Sequence, residues 1–201
     1  MVDQKGRWTK NSPATFKTDM LTCENAILVS IDAAEGVGRT ALQKIVFFAK
    51  ELKLTIAAYD PHYYGPYSRE VASILMNLVA VGWVEESAEA WPDGSLFGER
   101  RRYSYRLTAA GKSALQQLVV ESPEASRLRD IVKLCKEKTR LDFEIISFAA
   151  KIHFMRVKLQ QNFSPEKIEE HARSWGWQVK KEDVPKVTGL LDSLQLSIAA
   201  A

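Results

Sequence analysis

A mainly α-helical chain with one small β-hairpin is what this sequence predicts, and three observations carry the prediction. Apolar residues recur at helical spacing through most of the chain. One segment, Arg101 to Leu107, alternates with a period of two instead. Turn signals such as Pro92-Asp93-Gly94-Ser95 separate the periodic stretches.

The first helix is expected over Leu21 to Ala34, with Ile27, Ile31 and Ala34 spaced to face inward. Thr22 is placed to cap it, and Gly36 and Gly38 to end it. A second helix, Thr40 to Leu52, carries Leu42, Ile45, Val46, Ala49 and Leu52 as an inward stripe, with Lys44 and Lys50 pointing elsewhere. Ile56-Ala57-Ala58 suggests a short extended piece. Asp60-Pro61 and Gly65-Pro66 then punctuate a loop holding Tyr59, His62, Tyr63, Tyr64 and Tyr67. Ser68 is an N-cap for a third helix with Val71, Ile74, Leu75, Leu78 and Val79 on one face, closed by Gly82. Trp83 opens a strand, and the alternation of Tyr103, Tyr105 and Leu107 against Arg102, Ser104 and Arg106 completes a hairpin. Thr108 caps a fourth helix, to about Val120.

Helix, helix, helix, hairpin, helix is the order of a winged helix-turn-helix domain, here residues 20–121 with the hairpin as the wing. Residues 122–201 read as a helical C-terminal domain: Ala125 to Lys138, Leu141 to Leu159, a start at Ser164-Pro165, and a last helix from Asp183 or Pro185. Residues 1–19, with Lys5, Arg7 and Lys10 and no apolar stretch after them, read as a disordered basic tail and not a leader.

Hydrophobic residues at 46% and charged residues at 26% are ordinary globular composition, sufficient for a core without staples. Cys23 and Cys135 are far apart and lack metal-ligand neighbours, so both read as buried thiols in a reducing compartment. No apolar run is long enough to span a membrane, and a cytoplasmic protein is expected. The net charge of +3 excludes a bulk nucleic-acid coat, so any such role must rest on local patches. Arg100, Arg101, Arg102, Arg106 and Lys112 form one, without an acid among them. Glu85, Glu86, Glu89, Asp93 and Glu99 oppose it just upstream.

Three surfaces are candidates for function. On the third helix Arg69, Ser73 and Asn77 point outward at successive turns, as residues reading base edges in a major groove would. Glu70 beside Arg69 fits a plain solvated face equally. On the wing, Arg100, Arg101, Arg102 and Arg106 could contact phosphates or pair with Glu85, Glu86 and Glu99 across the hairpin. The tyrosine loop could form a pocket for a base, peptide or small ligand, or its phenols could pack over a helix junction with their hydroxyls bonded to backbone. Thr40, Gln43 and Lys44 lie one helical turn apart and are spaced to face this loop. No catalytic set is apparent: His62, His153 and His171 are scattered, and no nucleophile elbow, phosphate loop or metal-ligand motif occurs. His153 reads as a satisfied core residue, and Trp175-Gly176-Trp177 as an anchor for the C-terminal helices.

Three stretches together resemble one family. They are Gly38-Arg39-Thr40-Ala41-Leu42-Gln43-Lys44-Ile45-Val46-Phe47, Tyr63-Tyr64-Gly65-Pro66-Tyr67-Ser68, and Tyr105-Arg106-Leu107-Thr108-Ala109-Ala110-Gly111. In this order they resemble the uncharacterised prokaryotic YwgA-like family over about Ala26 to Gly111, with a looser similarity to the SocA-like (Panacea) antitoxin domain. The resemblance implies winged-helix character, and through it DNA binding. One departure stands out. A helix-turn-helix joins its helices by 3–4 residues, whereas about fifteen, Lys53 to Tyr67, intervene here.

The expected function is therefore that of a DNA-binding transcriptional regulator, not an enzyme, without cofactor or metal. Double-stranded DNA is the expected partner. The rival is a protein-binding adaptor or antitoxin-like module that grips its partner with the loop residues His62, Tyr63, Tyr64, Tyr67 and Ser68. The helix Leu141 to Leu159 holds more apolar residues than one buried stripe uses, Phe148, Phe154 and Met155 among them, so a homodimer through the C-terminal helices is expected.

Overall fold

Helix α1 (Cys23–Ala34) begins where Thr22 Oγ1 accepts the Asn25 N–H, and it buries Ile27, Leu28 and Ile31. The computed structural model describes residues 20–91, 100–119, 122–161, 163–179 and 181–196; the basic tail and the turn at residues 92–99 lie outside them. A two-residue strand β1 (Val37–Gly38) leads into α2 (Arg39–Glu51). Residues 52–68 then run to α3 (Arg69–Ala80), which Ser68 caps through its side-chain oxygen. Strands β2 (Val84–Trp91) and β3 (Arg100–Leu107) form the hairpin, followed by α4 (Ala109–Leu118). The second half holds α5 (Pro123–Thr139), α6 (Phe143–Leu159), α7 (Pro165–Ser174), a 3₁₀ turn and α8 (Val184–Ser193).

The sheet has three antiparallel strands in the order β1-β3-β2. Val84 faces Leu107, and the register runs without a bulge to Trp91 opposite Arg100. β1 adds itself to the other side of β3, Val37 opposite Tyr105. In the sequence Gly36 and Gly38 signal only a helix end; a strand of two residues is too short to show alternation.

The largest correction concerns α2. Its residues Ala41 to Ala49 are all buried, including Gln43 and Lys44, which lie off the apolar stripe on the side of the tyrosine loop. The helix is enclosed by α1 and α3 on the hairpin side and by α5 and α6 on the other. One apolar cluster accordingly runs from Leu21 to Leu196 through both halves of the chain.

The apolar surplus on α6 also finds its cover within the chain. Met155 is fully enclosed, Phe154 lies edge-on to Trp175 and Trp177, and Phe148 packs on the core. The inference of a dimer contact from those residues loses its premise. His153 is a satisfied core residue, with Nδ1 3.1 Å from the Leu196 carbonyl and Nε2 3.2 Å from Glu51 Oε2. Cys23 and Cys135 are buried, unpaired thiols, and burial pushes them up to about 11 and about 12.

The helix after the hairpin is fixed by a close approach. Thr108 Oγ1 donates to the Gly82 carbonyl at 2.7 Å and accepts the Gly111 N–H at 3.0 Å. This draws the first turn of α4 onto Trp83, where a Cβ at Gly111 would overlap the Trp83 carbonyl. Helix propensity alone favours Gly111→Ala by about 1 kcal/mol. The overlap reverses the sign, and we expect a net loss of about 1–3 kcal/mol. Urea unfolding checks this, and a stabilised variant would contradict the packing.

Candidate functional site

The tyrosine loop is built by two side chains of α2. Gln43 cannot reach water, so its amide must be satisfied by backbone. Its Nε2 donates to the Ser68 carbonyl and its Oε1 accepts the Ser68 N–H, both at 3.0 Å, imitating a strand partner. At the next position Lys44 Nζ donates to the Pro66 carbonyl at 2.7 Å. Between these anchors the chain folds back on itself. Asp60 and Tyr67 exchange two backbone bonds, His62 and Gly65 two more, and Tyr63 and Tyr64 lie at the tip. Gly65, at φ +92°, passes over the stems of Lys44 and Lys151, where a Cβ would be 3.0 Å from Lys151 Cγ. The C-terminal half holds the same turn, because Trp177 Nε1 donates to the His62 carbonyl at 2.6 Å.

The phenols divide between the two roles expected of them. Tyr59 is buried against Phe47 and donates to the Gln43 carbonyl at 3.1 Å. Tyr63 is 63% exposed and Tyr64 and His62 are also exposed, while Tyr67 is half-buried against the His62 ring.

Beneath the turn lies a cavity of about 520 Å³. Its walls come from four places: the first two turns of α2, the loop residues His62, Tyr64 and Tyr67, Arg102 and Tyr103 of β3, and Leu141 and Phe143 at the α5–α6 turn. That turn places Arg140 and Leu141 successively at φ +52° and +56°, a left-handed conformation costing non-glycine residues about 1–3 kcal/mol each. Among the described residues no Asp or Glu lines the cavity, whereas Arg39, Lys44 and Arg102 do. Burial, and after it the neighbouring charge of Lys151, brings the Lys44 amine down to about 7. Burial lowers Lys151 as well.

Arg39 ties this cavity to the hairpin. Its Nε donates to Tyr105 Oη at 2.9 Å and its Nη2 to Glu86 Oε2 at 3.2 Å, while the guanidinium lies 3.7 Å over the Tyr103 ring. Tyr105 in turn donates to Glu86 at 2.6 Å, and burial, helped by that bond, holds its phenol up at about 12. One arginine at the start of α2 thus joins both hairpin strands.

Of the other predicted residues, only Arg102 among those described lines the cavity. Arg69, Ser73 and Asn77 are exposed on α3 beside Met76, which is 71% exposed. Arg106 is exposed on β3 opposite Glu85, and Arg102 is opposite Glu89. The side chains of Arg100 and Arg101 lie outside the described residues, as does Glu99. Glu86, expected to pair with wing arginines, takes Arg39 instead. Nothing in the sequence pattern marks Arg39 as a joint or Phe143 as a wall. Among the described residues no cluster of three or more His, Cys, Asp or Glu could hold a metal ion, and no helix is long and apolar enough to cross a membrane.

Fold and site together define a helical protein with a small antiparallel sheet and a cation-lined cavity under a clamped tyrosine turn. No family model matches the chain. It is 32% identical over 112 residues to the Uncharacterized protein YwgA of Bacillus subtilis (strain 168), which supports the YwgA-like resemblance carried by the three motifs. The match covers 54% of this chain and 64% of that relative, so the chain spans under two thirds of the relative's length.

Two outcomes test the clamp. Gln43→Leu orphans both backbone groups of Ser68 and should cost at least about 2 kcal/mol, while Thr40→Val, at the half-exposed cavity wall, should stay within about 0.5 kcal/mol. The second outcome concerns pH. Above about 7 folded Lys44 is mostly neutral, whereas the unfolded lysine keeps its proton to beyond 10. The unfolded state then binds more protons, so stability should rise with pH from 7 to 9. The gap in urea midpoint between wild type and Lys44→Met should move in the wild type's favour over that range. The buried thiols cancel in that comparison, and an unchanging gap would contradict the buried amine.

Proposed function

We propose that the protein is a DNA-binding transcriptional regulator that works through a winged helix. The order α1-β1-α2-α3-β2-β3 with strands arranged β1-β3-β2 supports that reading. The observation that carries it is the outward face of α3. Arg69, Ser73, Met76 and Asn77 form a surface that no other element covers among the described residues, with the hairpin packed beside the same helix. Arginine and asparagine have hydrogen-bonding geometry for guanine and adenine edges. Since Glu70 offsets Arg69 on that face, phosphate attraction falls to the wing, where Arg102 and Arg106 are exposed. Two copies on paired half-sites suit such a reader. The exposed apolar residues remaining on α6 for a homodimer contact are Phe143, Val157 and Leu159.

A second reading, a protein-binding adaptor or antitoxin-like module, is favoured by one observation. Tyr63 and Tyr64 are presented on a turn held from both halves of the chain, a rigid aromatic tip of the kind that anchors interfaces.

DNA-binding assays separate the two. Ser73→Glu with Asn77→Glu should abolish binding while leaving stability within about 0.5 kcal/mol, because both positions are exposed. Arg102→Ala with Arg106→Ala should weaken all sequences alike and reduce the salt slope by about 0.9 for each phosphate that is no longer neutralised. A folded α3 double variant that keeps full specificity sinks the regulator reading. Wild-type protein that binds no DNA at low salt replaces it with the second.

A further inference from the structure

We infer that the cavity beneath the tyrosine turn is an effector site for a small ligand joining an aromatic ring to a phosphate, of nucleoside monophosphate size. The regulatory half of this inference, that the ligand changes DNA affinity, rests on the winged-helix reading above. The binding half does not.

The volume of about 520 Å³ lies within the range of small-molecule sites, roughly 300–1,000 Å³. The chemistry of the walls selects the ligand. Arg39 and, when protonated, Lys44 bring cationic donors from one end of α2, no carboxylate lines the space among the described residues, and the Gly38 N-cap supplies no side chain to the helix's first N–H groups. Lys44 is 1% exposed and spends one N–H on Pro66, although an ammonium carries three. Three donor sources converging on one space suit an anion with three acceptor oxygens better than a carboxylate with two. Opposite them Tyr64 and Phe143, each more than a third exposed, stand edge-on with ring centres 6.5 Å apart. They offer aromatic faces at the mouth, where a base stacks without need of sequence-specific bonds.

Arg39 makes the site consequential. Its guanidinium holds Tyr105 and Glu86, one residue from each hairpin strand. A phosphate in the cavity competes with Glu86 for that guanidinium. Occupancy therefore alters the joint between α2 and the hairpin, and with it the position of the wing relative to α3.

The test titrates the full-length protein with AMP, GMP, CMP and UMP, with the matching nucleosides, and with inorganic phosphate, by calorimetry. At least one monophosphate should bind with Kd below about 1 mM and roughly tenfold tighter than its nucleoside or phosphate alone. Thr40→Glu puts a carboxylate on the cavity wall and should weaken that binding by about tenfold or more with the ligand-free melting temperature unchanged. Phe143→Ala, on the opposite wall, replaces it if the first variant melts early. Bound ligand should shift the NMR signals of the Arg39 Nε–H and the Tyr103 and Tyr105 amides. Absence of binding by all four monophosphates up to about 5 mM overturns the inference. So does binding that survives both variants or leaves the Arg39 signal in place. Where DNA binds, saturating monophosphate should change its affinity about threefold or more in wild type and not in Thr40→Glu, and unchanged affinity overturns the coupling. A protein that binds monophosphate but no DNA defeats the regulator reading and leaves the ligand site standing.

Discussion

Helix α2 is surrounded, and much of the molecule follows from that. A helix buried from Ala41 to Ala49 must be apolar on every side or satisfy each polar group it brings inside. It carries two such groups, Gln43 and Lys44, with no water within reach. Both are answered by backbone atoms of residues 66–68, and Tyr59 answers the carbonyl of Gln43. The long connection between α2 and α3 exists to bring those acceptors in. A 3–4-residue turn could not fold back over the side of α2 and deliver them. Buried polar networks of this kind are costly when half-satisfied, which is why the loop is held at both its flanks and its tip.

The same arrangement explains the electrostatics of the site. Lys44 and Lys151 approach one another around Gly65, and neither is given a carboxylate partner by the bonds that hold the loop. Burial of two amines without a counter-charge among the described residues disfavours their charged forms, and their protonation is depressed as a result. Left-handed Arg140 and Leu141 add backbone strain at the same spot. Depressed amines and a pair of left-handed residues thus meet around the cavity, although single left-handed residues also occur at Glu35, Lys53, Gln160 and Gln195.

Much of this is legible in the sequence, for reasons that differ by element. Helices α1, α3 and α4 declare themselves because their caps, Thr22, Ser68 and Thr108, precede clear apolar series, and each cap oxygen accepts the expected N–H. The hairpin follows from the alternation of Tyr103, Tyr105 and Leu107. Strand β1 does not, since Val37 and Gly38 make sense only beside Tyr105 and Ser104. A rule that holds for most lysines assigns Lys44 to water. Its helical spacing with Thr40 and Gln43 turns it toward the loop but says nothing of its burial. The excess apolar surface of α6 signals a need for cover, but periodicity cannot say whether that cover comes from a second chain or from Trp175 and Trp177 of the same one. The cavity is out of reach altogether, because its walls come from four separated segments.

The three sequence stretches that carry the family resemblance meet at one joint. The first supplies Arg39, Gln43 and Lys44. The second is the backbone that Gln43 and Lys44 hold. The third contains Tyr105, which receives Arg39, and Gly111, which seats α4 on the hairpin. None of the three contributes to the outward face of α3. Shared residues at a joint, with an individual reading surface beside it, divide the labour. The joint sets how α2, the tyrosine turn and the hairpin are placed, whereas Arg69, Ser73 and Asn77 lie outside it on the exposed face of α3. A regulator built this way, as proposed above, could change its target by altering α3 without disturbing the joint, because Arg39 holds Glu86 and Tyr105 away from that face.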